Sequence, residues 1–170
     1  LPIARGDVIS SRDALVSHAN RFQIGLQGGT IVGCFGRNIE VLSGERMLAY
    51  GRNDDFWQQA GEFAFLGALD WGEDDQAVFE AAMLADPRPL HIANPDVAAP
   101  QVGGRFSAEP GYWTARMMQA AANQGIKIDV RWYGKPYGPA FDLALARMQI
   151  RLHNFSGLQL DRPFDASRIA

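Results

Sequence analysis

Two short turns in this sequence carry side chains that could bind an anionic ligand. Segment 134–136 reads Gly-Lys-Pro, and segment 94–96 reads Asn-Pro-Asp. In the first turn, Gly134 permits close approach of the backbone to a ligand, and Pro136 restricts φ and stiffens the chain. Lys135 would then hold a compact positive charge on a stiff backbone, which suits a phosphate or a carboxylate that carries one. This turn therefore predicts a phosphate contact.

Both turns follow segments that predict β-strands. Residues 88–94 and 126–133 are rich in apolar and β-branched side chains, and a helix is predicted over 138–152. In open α/β sheets ligands bind beyond the carboxyl ends of strands, and a helix N-terminus adds partial positive charge. The position favours a binding role for Lys135, but lysines in such turns commonly face only water. Both interpretations of this lysine stay open.

The rest of the chain alternates between segments with the residue pattern of a strand and segments with that of a helix. Strands are predicted at 7–10, 63–71, 88–94 and 126–133, and helices after the cap residue Ser11 and over 72–86, 109–125 and 138–152. Segment 24–51 is rich in Gly and in β-branched or aromatic residues and favours short strands and turns. The last helix has an apolar stripe formed by Phe141, Leu145, Met148 and Leu152. Alternating strands and helices predict an α/β fold with a parallel sheet.

The composition limits the possible partners and the cellular location. The chain has 170 residues, of which 47% are hydrophobic and 21% charged, so it can bury a core. A net charge of −3 without a basic cluster argues against nucleic acid, and no apolar run is long enough for a membrane span. Cys34 is the single cysteine, which excludes an internal disulfide and favours the cytoplasm. The scattered histidines do not predict a zinc site.

The order of these motifs resembles a known family of phosphatases. The chain reads "ANPD" at 93–96, "YGKPYGPAFDLALARM" at 133–148 and "DVISSRDAL" at 7–15. This series is similar to the haloacid-dehalogenase-like (HAD) superfamily of hydrolases, in the class IIA branch that has a large α/β cap of the C2 type. The resemblance covers 88–148 well and the first residues fairly, and it is weak over 25–62. It implies a HAD-like cap domain with incomplete Rossmann-like core segments.

The resemblance also implies a chemistry. In this family an aspartate attacks the substrate phosphate, a second aspartate acts as acid and base, and Mg²⁺ shields the charge. The lysine of the Gly-Lys-Pro turn neutralises the phosphate and the nucleophile, and by position that is Lys135. Asn94, Asp96 and Gly134 are then candidate substrate-binding residues that shape the site.

Several motifs of the family do not occur in this sequence. There is no Asp-x-Asp strand, no Thr/Ser-Asn motif and no Gly-Asp…Thr-Asp metal motif. The remaining acidic candidates fall at helix starts, on polar faces or in loops: Asp54, Asp55, Asp74, Asp75, Asp129 and Asp142. We therefore expect a fragment with a core-edge segment at 1–12, a cap domain at 13–125 and a return to the core at 126–170. Such a fragment has no metal ligands of its own and is expected to be inactive alone.

Two functions remain as hypotheses. The first is a phosphohydrolase acting on a small phosphomonoester of the sugar phosphate, nucleotide or nitrophenyl phosphate type, with this chain supplying the substrate-selecting cap and Lys135. The alternative is a non-catalytic, stand-alone cap-like module that binds a small ligand or a protein partner. A homodimer could form through the cap. Five aromatic residues either line such a surface or pack in the core: Trp57, Trp71, Tyr112, Trp113 and Trp132.

Overall fold

The described residues of this computed structural model are 9–22, 30–36 and 47–156. In chain order the elements are α1 (Ser11–Phe22), β1 (Ile31–Phe35), β2 (Met47–Ala49), α2 (Phe56–Gln59), β3 (Ala60–Phe65), α3 (Glu73–Ala85), β4 (Leu90–Ile92), β5 (Ala98–Pro100), β6 (Phe106–Ala108), α4 (Pro110–Asn123), β7 (Val130–Trp132) and α5 (Gly138–Ser156). The predicted α/β class is confirmed.

The main sheet has five parallel strands in the order β2-β1-β3-β4-β7. Of the strand predicted over 63–71, only residues 63–65 lie in a strand, the central strand β3, which begins at Ala60 and pairs with a strand on each side. Residues 66–71 follow it outside any strand, and Leu69 is exposed. Strands β5 and β6 form a separate antiparallel hairpin between β4 and α4.

Side chains alternate between two cores on opposite faces of the sheet. The first, called the aromatic core below, includes Phe35, Phe56, Phe63, Phe65, Phe79, Leu90, Ile92, Trp113 and Met117. The second core includes Ala14, Leu15, Val32, Cys34, Ala64, Leu66, Ala93, Tyr133 and Ala140. Helices α2, α3 and α4 pack against the sheet face that carries the aromatic core, while α1 and α5 pack against the opposite face. The result is a three-layer arrangement in which a sheet lies between two layers of helices.

The start of α1 differs from the sequence expectation. The helix begins at Ser11, and its cap is Ser10, whose Oγ accepts a hydrogen bond from the Asp13 N–H at 3.2 Å. Asp13 Oδ2 accepts in return from the Ser10 N–H at 2.7 Å, which completes a reciprocal capping pair. Of the strand predicted at 7–10, the first two residues lie outside the described part, and Ile9 and Ser10 are not in a strand.

The apolar stripe predicted for α5 is wrong in the part that the structure describes. Phe141 and Met148 are 50% and 47% exposed, whereas Ala140 is buried and Leu143 packs against the second core. The face of α5 that packs against the second core therefore carries Ala140 and Leu143, while Leu145 of the predicted stripe is half-buried. The side chain of Leu152 lies outside the described residues.

One strand pairing and one helix–helix contact join residues on the two sides of the predicted domain boundaries. Strand β7, which lies after the predicted boundary at residue 125, pairs with β4 in the same sheet. Helix α5 packs against α1, which spans the predicted boundary at residue 12. The division at 1–12, 13–125 and 126–170 stays a prediction. Within the described residues, no helix combines the length and the apolar character that crossing a membrane requires.

Candidate functional site

The structure brings the two predicted turns to the same edge of the sheet. Strands β4 and β7 are parallel neighbours, and their last residues, Ile92 and Trp132, are aligned in register. Asn94 follows β4 by two residues and Lys135 follows β7 by three. Both turns therefore leave the sheet at its carboxyl edge, which is where ligands bind in folds of this class.

The turn that carries Lys135 is braced on both sides. The Tyr133 N–H donates to the Ile92 carbonyl at 3.1 Å, which fixes the entry to the turn against β4. The Tyr137 N–H donates to the Gly134 carbonyl at 2.9 Å, and the Trp132 and Tyr137 rings stack with centroids 5.4 Å apart. These contacts hold the backbone on both sides of Lys135 in place.

Lys135 is exposed to solvent. Gly134 before it is buried, while Lys135 and Pro136 are exposed, and the peptide bond between them is cis. Lys135 forms no ion pair with any residue that the structure describes. Its ammonium group is thus free to meet an anion that comes from outside the described residues. Its catalytic role stays a prediction.

The Asn-Pro-Asp turn makes mostly local contacts. Asn94 Oδ1 accepts from the Asp96 N–H at 3.1 Å, an arrangement that asparagine favours in turns. Asn94 Nδ2 also donates to Glu109 Oε2 at 3.3 Å, and the Gly111 N–H donates to the Asp96 carbonyl at 3.0 Å. These bonds fasten the turn to the start of α4. The predicted substrate-binding roles of Asn94, Asp96 and Gly134 stay predictions.

A polar network of two buried side chains and one half-buried side chain lies beneath the lysine turn, and no motif of the sequence predicts it. Tyr133 Oη is 2.8 Å from His91 Nδ1, and His91 Nε2 is 3.1 Å from Glu62 Oε2. Both His91 and Tyr133 are 1% exposed. Burial raises the pKa of Tyr133 above its ordinary value; the charges of Glu62 and Asp129 act in the same direction, and Arg131 opposes them. Tyr133 is therefore a neutral hydroxyl at physiological pH.

The sequence offered only a weak signal for this network. His91 stands in an apolar strand, where a buried histidine requires hydrogen-bond partners. Its partners lie 29 and 42 residues away along the chain, on β3 and just after β7. Only the pairing of these strands in the tertiary structure identifies Glu62 and Tyr133 as the partners of His91.

The acidic residues are placed as the sequence analysis predicted. Asp54, Asp55 and Asp74 are exposed. Asp75 Oδ2 accepts from the Gly72 N–H at the start of α3 at 3.0 Å, and Asp75 Oδ1 accepts from the Tyr50 hydroxyl at 3.0 Å. In the part of the chain that the structure describes, no group of three or more His, Cys, Asp or Glu side chains could hold a metal ion. The described residues therefore do not fit a Mg²⁺ site.

Four of the five aromatic candidates pack inward. Trp113 is buried in the aromatic core, and Trp57, Trp71 and Trp132 pack against that core. Tyr112 is the exception, with 41% of its surface exposed. The core-packing alternative is therefore correct for most of this set.

The sheet order and the two turns at its carboxyl edge define an α/β domain of the kind that binds ligands at strand ends. Comparison with solved structures makes this class more specific. A haloacid-dehalogenase-like hydrolase from Brucella suis 1330 superposes with a TM-score of 0.62 at 18% identity, over 86% of this chain and 51% of that one. No protein-family model matches the chain, and the comparison with curated proteins also gave no match.

Two named phosphatases are also similar in structure. A glycerol phosphate phosphatase from Mycobacterium tuberculosis, solved in complex with magnesium, gives a TM-score of 0.59 at 23% identity, over 88% of this chain and 42% of that one. A 4-nitrophenylphosphatase from Thermotoga maritima gives 0.57 at 14% identity, over 84% and 49%. The chain thus spans about half the length of these structures. The resemblance to haloacid-dehalogenase-like phosphatases is confirmed as a shared fold.

Proposed function

We propose that this chain is the substrate-selecting cap and flanking core of a HAD-type phosphohydrolase that acts on a small phosphomonoester. Sugar phosphates, nucleotides and nitrophenyl phosphate are the substrate types considered. The supporting observation is the exposed Lys135, held in a braced turn at the carboxyl edge of the sheet beside the Asn94 turn. The named phosphatases that share the fold support the same reaction class.

The part proposed for Lys135 is electrostatic. The ester P–O bond breaks as a P–O bond forms to the carboxylate of an aspartate outside this segment, and the leaving alcohol takes a proton from the second aspartate. Water, which gives up a proton to that second aspartate, then breaks the aspartyl-phosphate bond and releases inorganic phosphate. During both transfers negative charge is spread over the phosphoryl oxygens. An ammonium group fixed beside them stabilises that charge without first having to reorganise. The hydrogen bonds made by Tyr133 and Tyr137 hold the backbone from which the Lys135 side chain projects.

Mg²⁺ is the cofactor that the family resemblance implies. Because the described residues offer no cluster of ligands for it, we propose that other parts of the complete protein hold it. When bound, such an ion neutralises charge on the phosphate. The positive charge of Lys135 would add to this neutralisation of the phosphate.

The proposal is tested with the complete protein that contains this segment. Lys135→Met should lower kcat for nitrophenyl phosphate by about 10² or more, because one donor to the developing charge is lost. The matched control is Lys127→Met, since Lys127 and Lys135 are the two lysines of the sequence and both are exposed. An unchanged kcat in the Lys135 variant would leave it a surface lysine.

The isolated chain provides a second measurement. It should not hydrolyse nitrophenyl phosphate with Mg²⁺, since the nucleophile and the metal ligands are proposed to lie elsewhere. Turnover above background would refute the proposal that the nucleophile and the metal ligands lie elsewhere in the complete protein. A complete protein that also lacks phosphatase activity would favour the alternative, a non-catalytic cap-like module that binds a small ligand or a protein.

We also infer a cytoplasmic location and a possible cap-mediated homodimer. The location rests on Cys34, which is the single cysteine and is buried as a thiol. For the dimer, Tyr112 is the one exposed member of the aromatic set. Sedimentation of wild-type protein and of Tyr112→Ala at matched concentrations tests this; a monomer in both would remove the dimer.

A further inference from the structure

The lysine turn is connected to a chain of hydrogen bonds that links three neighbouring strands and is buried at Tyr133 and His91 but partly exposed at Glu62. Glu62 lies on β3, His91 on β4, and Tyr133 directly after β7. We propose that these three side chains form a positioning network that holds the turn bearing Lys135 at the edge of the sheet. The inference rests on the proposed function for what the lysine does, but its test measures the turn itself.

The hydrogen bonds of the network link its three side chains in series. Tyr133 Oη lies 2.8 Å from His91 Nδ1, and His91 Nε2 lies 3.1 Å from Glu62 Oε2. Because a carboxylate can only accept, His91 Nε2 is the donor in the contact with Glu62. His91 thus contacts one partner through each ring nitrogen, and the two contacts together fix the orientation of its ring.

Tyr133 connects the network to the turn because its backbone and its side chain are both hydrogen-bonded to β4. Its backbone N–H bonds to Ile92 on β4, and its hydroxyl bonds to His91 on the same strand. The next residue, Gly134, has no side chain of its own to anchor it, and its carbonyl accepts the bond from Tyr137 that closes the turn. The position of the Gly134 backbone therefore depends on Tyr133.

A merely structural role is the competing explanation. Buried polar groups need partners, and His91 and Tyr133 would satisfy each other in any protein that happened to bury both. Under that explanation, replacing both by phenylalanine removes the need for the bond and should restore the whole domain, including the turn. Under the positioning proposal, the double replacement restores the core but not the turn.

The experiment compares three variants of this chain: His91→Phe, Tyr133→Phe and the double variant. Amide hydrogen exchange, measured by NMR, is followed at Tyr137, whose N–H closes the turn, and at Met117, a buried residue of α4 on the opposite face. Met117 reports the stability of the domain, and Tyr137 reports the turn. Two further variants, Glu62→Gln and Glu62→Leu, keep or remove the acceptor for the Nε2–H.

We expect both single variants to speed exchange at Tyr137 by about tenfold or more relative to Met117, since the turn then opens without global unfolding. In the double variant, Met117 should return to within about threefold of wild type while Tyr137 stays fast. Glu62→Gln should resemble wild type because an amide oxygen still accepts, and Glu62→Leu should loosen the turn.

Recovery of Tyr137 together with Met117 in the double variant would overturn the proposal. So would exchange at Tyr137 that no variant changes. These outcomes are independent of catalysis, because exchange needs no turnover. An unchanged kcat in Lys135→Met would instead leave Lys135 a surface lysine and would not affect the exchange result.

Discussion

Gly111 packs directly against the backbone of Pro95. A Cβ atom at Gly111 would lie 2.6 Å from the carbonyl oxygen of Asp96 and closer still to that of Pro95. The Gly111 N–H donates to the Asp96 carbonyl in the same contact. The start of α4 can approach the Asn-Pro-Asp turn only because this residue has no side chain.

Gly111→Ala should therefore lower the free energy of unfolding by about 3 kcal/mol or more, because two backbones must separate to admit a methyl group. Gly138→Ala is the matched control, since a Cβ at Gly138 meets nothing within 4 Å. It should change stability by less than about 1 kcal/mol. Urea denaturation of both variants measures the difference, and equal effects would show that α4 can shift away from the turn.

Phe35 lies in the middle of the aromatic core. Its ring centroid is 5.2 Å from those of Trp71 and Phe79 and 5.3 Å from that of Phe56. Phe35→Ala should lower the free energy of unfolding by about 3–5 kcal/mol, because the cavity is enclosed by large side chains. The control, Phe106→Ala, removes a ring that is 73% exposed and should cost under about 1 kcal/mol. A small loss at Phe35 would mean that the core collapses around the gap.

Arg88 joins α2 to the sheet from a largely buried position. Its Nη1 donates to the carbonyl oxygens of Trp57 and Ala60, both at 2.6 Å, and its guanidinium carbon is 5.4 Å from the Phe63 ring centroid. Arg88→Met should lower stability by about 2 kcal/mol, because these carbonyls lose a charged donor.

Arg131→Met is the control for Arg88. Arg131 forms an exposed ion pair with Asp129 at 2.7 Å, and its loss should change stability by less than about 1 kcal/mol. Thermal or chemical denaturation compares the two variants. If both lose the same amount, the carbonyl contacts of Arg88 contribute no more than a surface ion pair.

The pH dependence of stability should reveal the buried thiol of Cys34. Burial raises the pKa of Cys34 from 9.0 to about 12. Above pH 9 the unfolded chain loses this proton while the folded chain keeps it, so stability falls as pH rises towards 12. The slope approaches about 1.4 kcal/mol per pH unit from this group alone.

Cys34→Ala should make stability flatter between pH 9 and 10. The comparison is confined to that interval because burial also raises the pKa of Tyr50 from 10.0 to about 12, which adds a further fall at higher pH. Denaturation curves at pH 7.5, 9 and 10 provide the measurement. Parallel curves for the two proteins would indicate that the thiolate is accommodated in the folded state.

Local signals in the sequence predicted several elements well. The helices predicted over 72–86 and 109–125 are α3 and α4, because acidic residues or a proline mark their starts and apolar spacing fixes their type. The short strands and turns predicted within 24–51 appear as β1 and β2, as far as the structure describes that segment. The buried face of α5 was not predictable, because it depends on packing against α1 and the second core, whose residues are far from α5 in the sequence.

The sequence by itself determined the α/β class, the alternation of elements and the fact that Gly134 and Asn94 follow strands. These properties depend on side-chain periodicity and on turn residues, which act over a few neighbouring positions. Only the tertiary structure decided that the two turns share an edge and that Glu62, His91 and Tyr133 meet. Strand order and register arise from packing whole faces of the sheet against helices, and that packing joins residues far apart in the chain.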